Sequence, residues 1–195
     1  MREITAWLCL LLGCVGLQAQ AGTLRLGEKG VEIDAGSMGS FSLAYPKVET
    51  KAANGRYEPA SETRVQDKQV LLKYAGGISA TIAIEDGGKI ACRFAGDREA
   101  IKSFRIGELL VPFEYSDGGT WRIGDGDAKP FPPEKPPKPF LYQGNATLFD
   151  LTNIDGKRLR IEVPPYSYQQ LQDNREWNWK IFAWWFQAPL TCTVV

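Results

Sequence analysis

The residues with the most chemistry to offer sit close together near the end of the chain. Between positions 166 and 186 lie Tyr166, Tyr168, Trp177, Trp179, Phe182, Trp184, Trp185 and Phe186. Four of the six tryptophans fall between positions 177 and 185. Large flat rings provide faces for stacking, and Trp and Tyr add one polar handle each. Among the rings stand Gln169, Gln170, Gln172, Asp173, Asn174, Arg175 and Asn178. Rings interleaved with planar polar groups suit a surface that stacks on a ligand and hydrogen-bonds its edges. The same composition also suits a strand covered on both sides inside a core, and both readings stay open. If the stretch is a surface, its ligand contacts are Tyr166, Tyr168, Gln170, Asn174, Arg175, Trp177, Trp179 and Trp184. Arg175 would clamp a carboxylate through its two-pronged guanidinium, with Lys180 and Arg160 as further cations.

Other chemistries are excluded or weakly signalled. The chain contains no histidine. That removes Ser-His-Asp and Cys-His nucleophile pairs, a histidine general base and histidine metal ligands. Any catalysis must use carboxylates, tyrosine, lysine or arginine. Glu108, Glu114 and Glu162 lie in or beside apolar runs, yet no spacing singles out the pair of carboxylates a glycosidase needs. Gly124-Asp125-Gly126-Asp127 can supply oxygen ligands to calcium, but the twelve-residue loop with its distal glutamate is absent. The segment reads first as a turn. No cofactor and no metal site are therefore assigned, with calcium at Asp125 and Asp127 the one candidate.

The ends of the chain bear on where it works. Met1-Arg2-Glu3 precede an apolar run from Ile4 to about Leu17, followed by Ala19-Gln20-Ala21, a small-x-small cleavage pattern. Residues 1–21 are expected to be an export signal and 22–195 a single domain, secreted or periplasmic. The run is too short for a membrane span. Leu11-Leu12-Gly13-Cys14 loosely resembles a lipoprotein box, which would acylate Cys14. Cleavage would leave Cys92 and Cys192, an even pair that an oxidising compartment would join as a disulfide. Lysine plus arginine and aspartate plus glutamate number 23 each, so no net charge steers the chain to nucleic acid.

Those residues must be positioned by strands. Alternating or β-branched runs mark strands at 23–26, 31–34, 41–45, 69–74, 78–85, 89–94, 103–106, 108–115, 120–123, 146–152, 158–163, 180–187 and 191–195. Asp86-Gly87-Gly88, Asp117-Gly118-Gly119 and Asp155-Gly156 supply the turns. Residues 49–68 read as a long loop or poor hairpin. Short helical turns are expected at 97–100 and 168–174. Six prolines between Lys129 and Phe140 favour a stiff surface loop, pinned by Phe131 and Phe140. The fold expected is all-β, an antiparallel sandwich or jelly roll of about a dozen short strands. On a regular strand, Ile181, Ala183 and Trp185 share one face, and Phe182, Trp184 and Phe186 the other.

An export signal, strands with glycine turns, and the Trp177-Asn178-Trp179 and Trp184-Trp185 pairs resemble the β-sandwich modules of secreted polysaccharide-degrading systems. That resemblance implies a poly- or oligosaccharide partner and a binding role without catalysis. A polysaccharide lyase or glycoside hydrolase is the second implication. Jelly-roll lyases commonly carry a histidine near their catalytic tyrosine, and this chain departs from them there. A third reading is a structural or interaction protein of the envelope, with the aromatic stretch as core and the proline loop as contact surface.

Overall fold

The protein's structure, a computed structural model, describes residues 4–10, 23–36, 39–85, 89–163 and 167–189. Among them the strands are β1 (Ile4–Leu10), β2 (Thr23–Leu26), β3 (Gly30–Asp34), β4 (Ser40–Ala44), β5 (Lys47–Thr50), β6 (Glu62–Gln66), β7 (Gln69–Lys73), β8 (Ser79–Glu85) and β9 (Lys89–Ala95). They continue as β10 (Ile101–Pro112), β11 (Thr120–Ile123), β12 (Lys129–Pro130), β13 (Phe140–Asn145), β14 (Leu148–Thr152), β15 (Arg158–Glu162), β16 (Tyr168–Asp173) and β17 (Ile181–Pro189). One α-helical turn, α1 (Phe113–Ser116), follows β10.

Two antiparallel sheets result, neither closed into a barrel. The first has the order β12-β11-β14-β15-β1-β9-β8-β7-β6. The second runs β13-β16-β17-β10-β4-β3-β2, with β5 also paired to β10. The all-β sandwich expected from strand periodicity is the fold. Its core joins side chains from both sheets: Phe94 of β9 meets Phe104 of β10 with ring centroids 4.0 Å apart, and Phe149 of β14 stacks on Trp184 of β17 at 4.6 Å. Aromatic pairs in such offset contact add roughly 0.5–1.5 kcal/mol beyond the burial of their area.

The alternation expected for β17 is realised. Phe182, Trp184 and Phe186 are sealed in the core, whereas Ala183 and Trp185 point to the outer face of the second sheet, where both are still buried, Trp185 beneath Arg105 and beside Tyr168. The strand starts at Ile181, however, and does not extend back to Trp177. Residues 174–177 form a 3-10 turn, and Asn178 adopts φ 61°, so Trp177 and Trp179 belong to the turn.

Several local expectations shift. The runs 103–106 and 108–115 are one long strand. Gly107 is where the pairing with β17 slips by a residue, and a Cβ there would meet Leu43 Cδ1 and Phe186 Cε1 at 2.9 Å. The strand stops at Pro112, which has no N–H to donate, and α1 follows. Residues 168–174, expected as a helical turn, form β16 and then enter the 3-10 turn. The period-two pattern is masked because two inward positions are polar, Gln169 and Asp173, both fully buried. Within 49–68, residues 62–66 pair as β6 with β7. The apolar run expected within the export signal supplies β1, held between β9 and β15 in the intact chain. The expected strand 191–195 and the Asp86-Gly87-Gly88 turn lie outside the described residues.

Candidate functional site

The outer face of the second sheet gathers the polar and aromatic groups. On β16, Tyr168, Gln170 and Gln172 point away from the core, spaced by about 6.6 Å along the strand. Gln143 of β13 lies opposite Gln170. The amides form a head-to-tail row. Gln143 Nε2 donates to Gln170 Oε1 at 3.4 Å, Gln170 Nε2 to Gln172 Oε1 at 3.0 Å, and Gln172 Nε2 to Asn174 Oδ1 at 2.7 Å. Each amide has two donor hydrogens and two acceptor lone pairs, so the row spends only part of its capacity on itself. Gln170 and Asn174 are buried, so the capacity open to a ligand is that of Gln143 and Gln172, fixed in place at little further entropic cost.

Beside the row stands Trp185, opposite both Gln170 on β16 and Glu108 on β10. Its ring lies 6.0 Å from that of Tyr168. The Arg105 guanidinium sits 4.1 Å from the Trp185 ring centre and 4.9 Å from that of Tyr57, held between two π-faces. A polar chain continues behind it. Gln187 Nε2 donates to Tyr57 Oη, Tyr57 Oη meets Ser103 Oγ at 2.8 Å, and Ser103 Oγ donates to Glu49 Oε2 at 2.8 Å. Because Glu49 as a carboxylate only accepts, the tyrosine O–H must donate to Ser103. The hydrogen bond from Lys102 is the main cause holding the buried Glu49 carboxyl below its usual range; burial opposes it and Ser103 assists. Lys47 and Glu108 pair at 2.7 Å on the same face.

At the far end of the amide row the chain turns. Asp173 is fully buried and caps the 3-10 turn by accepting from the Arg175 backbone N–H at 3.0 Å. The Arg175 guanidinium reaches back to both Asp173 oxygens and donates to the carbonyls of Pro132, Pro133 and Glu134. It also lies 5.2 Å from the Phe113 ring centre and 5.3 Å from that of Phe182. Phe131 of the proline segment inserts beside Phe182, with centroids 4.6 Å apart. The turn therefore presents Trp177 and Trp179 on a rigid base, 50% and 60% exposed.

The structure distributes the sequence-derived candidates unevenly. It brings together Tyr168, Gln170 and Asn174, with Trp177 and Trp179 following directly from Asn174. Trp184 is a core residue with no exposed surface; it stacks on Phe149, and its Nε1 donates to Gln169 Oε1 at 2.9 Å. Arg175 is committed to Asp173 and the proline segment, which leaves it no free fork for a ligand carboxylate. Tyr166 lies outside the described residues. Of the two ends expected to pin the proline segment, Phe131 is buried and Phe140 is largely exposed. Cys92 is a buried free thiol, and Cys192 lies outside the described residues. Among the described residues, no group of three or more His, Cys, Asp or Glu side chains is placed to hold a metal ion. Asp125 and Asp127 lie on an exposed turn.

Sequence reasoning missed Gln143, Tyr57, Arg105 and Trp185 as members of one face. They come from four separate segments, and no local signal joins them. The Glu49–Lys68 stretch that carries Tyr57 reads only as polar loop.

Fold and face together define an open two-sheet β-sandwich with a polar, aromatic outer surface on one sheet. Compared with known proteins, the chain matches no family model, no curated protein and no solved structure.

Proposed function

We propose that the protein binds poly- or oligosaccharide on the outer face of the second sheet. The observation that carries this reading is the row Gln143–Gln170–Gln172–Asn174, which leads into the exposed Trp177 and Trp179. Sugar rings present C–H faces that stack on indole, and hydroxyls that both donate and accept. Gln143 and Gln172, held in the row by the buried Gln170 and Asn174, answer the hydroxyls with their unused donors and acceptors. Exposed indoles answer the ring faces. The neutral net charge of the chain suits a ligand recognised by hydrogen bonds and stacking over one captured by long-range attraction. The proposed role is binding without catalysis.

The test is isothermal calorimetry and affinity electrophoresis against a panel of neutral and acidic polysaccharides. Trp177→Ala and Trp179→Ala should each weaken binding roughly 2- to 12-fold, the equivalent of one stacked ring. Gln172→Leu, which breaks the amide row in its middle, should weaken it as well. Circular dichroism should be unchanged in all three. Binding to no member of the panel, or full affinity in the double tryptophan variant, refutes the reading.

A further inference from the structure

The opposite outer face, on the first sheet, carries a second polar constellation unconnected with the amide row. Asp150 of β14 has Arg122 of β11 as its partner on one side and Arg160 of β15 on the other. Arg158, two residues before Arg160, projects from the same face. All three guanidiniums converge on the one carboxylate. Arg122 Nε donates to Oδ2 at 3.0 Å, and Arg158 Nε and Arg160 Nε each donate to Oδ1 at 3.0 Å. Terminal nitrogens of Arg122 and Arg158 add further bonds to Oδ2. Asp150 is buried, while the arginine side chains remain 30%, 36% and 30% exposed.

One carboxylate needs one guanidinium. Three around it leave two positive charges in excess and force like charges together, which costs energy unless something else shares them. Of the three, the two that reach an open cleft are Arg122 and Arg158. Those two line a cleft of about 220 Å³ together with Thr120, Thr152, Trp121, Ala128 and Asp150. Asp150 occupies about two N–H groups of each guanidinium out of five, so donors remain on both. The carboxylate serves to hold three long side chains in one orientation. Their remaining donors, with the two threonine hydroxyls, form a cationic cradle half open to water.

We propose that this cleft binds an oxyanion group, a sulfate, phosphate or carboxylate, between Arg122 and Arg158. Planar guanidinium forks match such groups bidentately, which a cluster of lysines would not do. The group arrives either as a free anion or carried on a polyanionic chain. The site lies on the other sheet from the proposed sugar face, and its occupancy does not depend on that reading.

The experiment compares thermal unfolding and calorimetric binding in sodium sulfate, sodium phosphate and sodium acetate with sodium chloride at matched ionic strength. Binding of dextran sulfate is measured beside that of neutral dextran. At least one oxyanion should bind saturably by calorimetry and raise the unfolding temperature of the native protein more than that of Arg122→Gln, since exclusion of sulfate and phosphate stabilises both alike, or dextran sulfate should bind where dextran does not. Arg122→Gln, which leaves Arg158 and Arg160 on Asp150, should weaken that binding roughly tenfold while the protein stays folded; Arg122→Lys should recover it only in part. Binding of the free anion alone assigns the cleft to a small anion, and binding of the polymer alone assigns it to a charged chain. If every oxyanion behaves like chloride and dextran sulfate like dextran, the inference falls. It falls equally if Arg122→Gln and Arg158→Gln both retain full affinity. A purely structural role would move stability in these variants and leave no oxyanion binding to lose.

Discussion

Replacing Arg175 by methionine should be among the most damaging single changes outside the apolar core. Methionine keeps most of the apolar contact with Phe113 and Phe182 and removes only the charge and the donors. What remains is the Asp173 carboxylate, fully buried, holding one backbone N–H and no counter-charge. Stripping one partner from a buried ion pair costs about 3–5 kcal/mol, because the stranded charge keeps its desolvation penalty. In a protein of this length each kcal/mol moves the melting temperature by about 2–4 °C, so the loss is roughly 6–20 °C. The carbonyls of Pro132, Pro133 and Glu134 lose their donor together, which loosens the proline segment. Urea and thermal unfolding followed by circular dichroism give the stability, and the rate of Glu-C cleavage after Glu134 reports the segment. Asp173→Asn combined with Arg175→Met should recover more than half the loss, since no charge is then stranded. A cost below about 1 kcal/mol for Arg175→Met, or a double variant worse than the single one, would show that Asp173 is solvated and the reasoning wrong.

Two further expectations concern acid and backbone. Burial alone would raise the Asp150 carboxyl, but hydrogen bonds from Arg158, Arg160 and Arg122 outweigh it and hold the group at about 2, below the ordinary 3.8. The unfolded chain then binds the proton more readily than the folded one, so this contribution is whole above about pH 4 and fades as pH falls toward 2. After allowance for solvent screening at the arginines, which are about one-third exposed, it amounts to about 1–2 kcal/mol. Asp150→Asn should be less stable at neutral pH and have a flatter acid limb in urea titrations; parallel limbs would contradict the assignment. Gly30→Ala places a Cβ 2.4 Å from the Leu43 carbonyl oxygen, 3.0 Å from its carbon and 3.1 Å from Ala44 Cα, all backbone atoms that no rotamer can move. It should destabilise by more than about 2 kcal/mol through separation of β3 from β4, and an unfolding curve that overlays the native one would refute the contact.

Legibility in the sequence followed the range of the interaction. The strands of β7, β8 and β17 were readable because their alternation is local, and the alternation of β17 also disclosed which of its rings share a face, though not which face is inward. β16 was not readable. Gln169 and Asp173 occupy core positions that look polar in isolation, and each is acceptable there only through a partner: Trp184, fifteen residues away, for the first and the Arg175 fork for the second. The same dependence misled the reading of Trp184 and Arg175 as ligand contacts. Their side-chain types fit a binding site, and both were already engaged by the interior. Tyr168, Gln170, Asn174, Trp177 and Trp179 were legible as a group because they follow one another along a single strand and turn.

The amino-acid order alone determined an all-β chain without histidine chemistry, punctuated by glycine turns, with a ring- and amide-rich stretch near its end. Only the tertiary structure decided which rings face water, set Gln143, Arg105 and Tyr57 beside that stretch, and drew Arg122, Arg158 and Arg160 around Asp150. The reason is physical. Side-chain alternation is a property of one strand, whereas the neighbours of that strand depend on pairings between segments tens of residues apart, and on burial that no segment achieves alone.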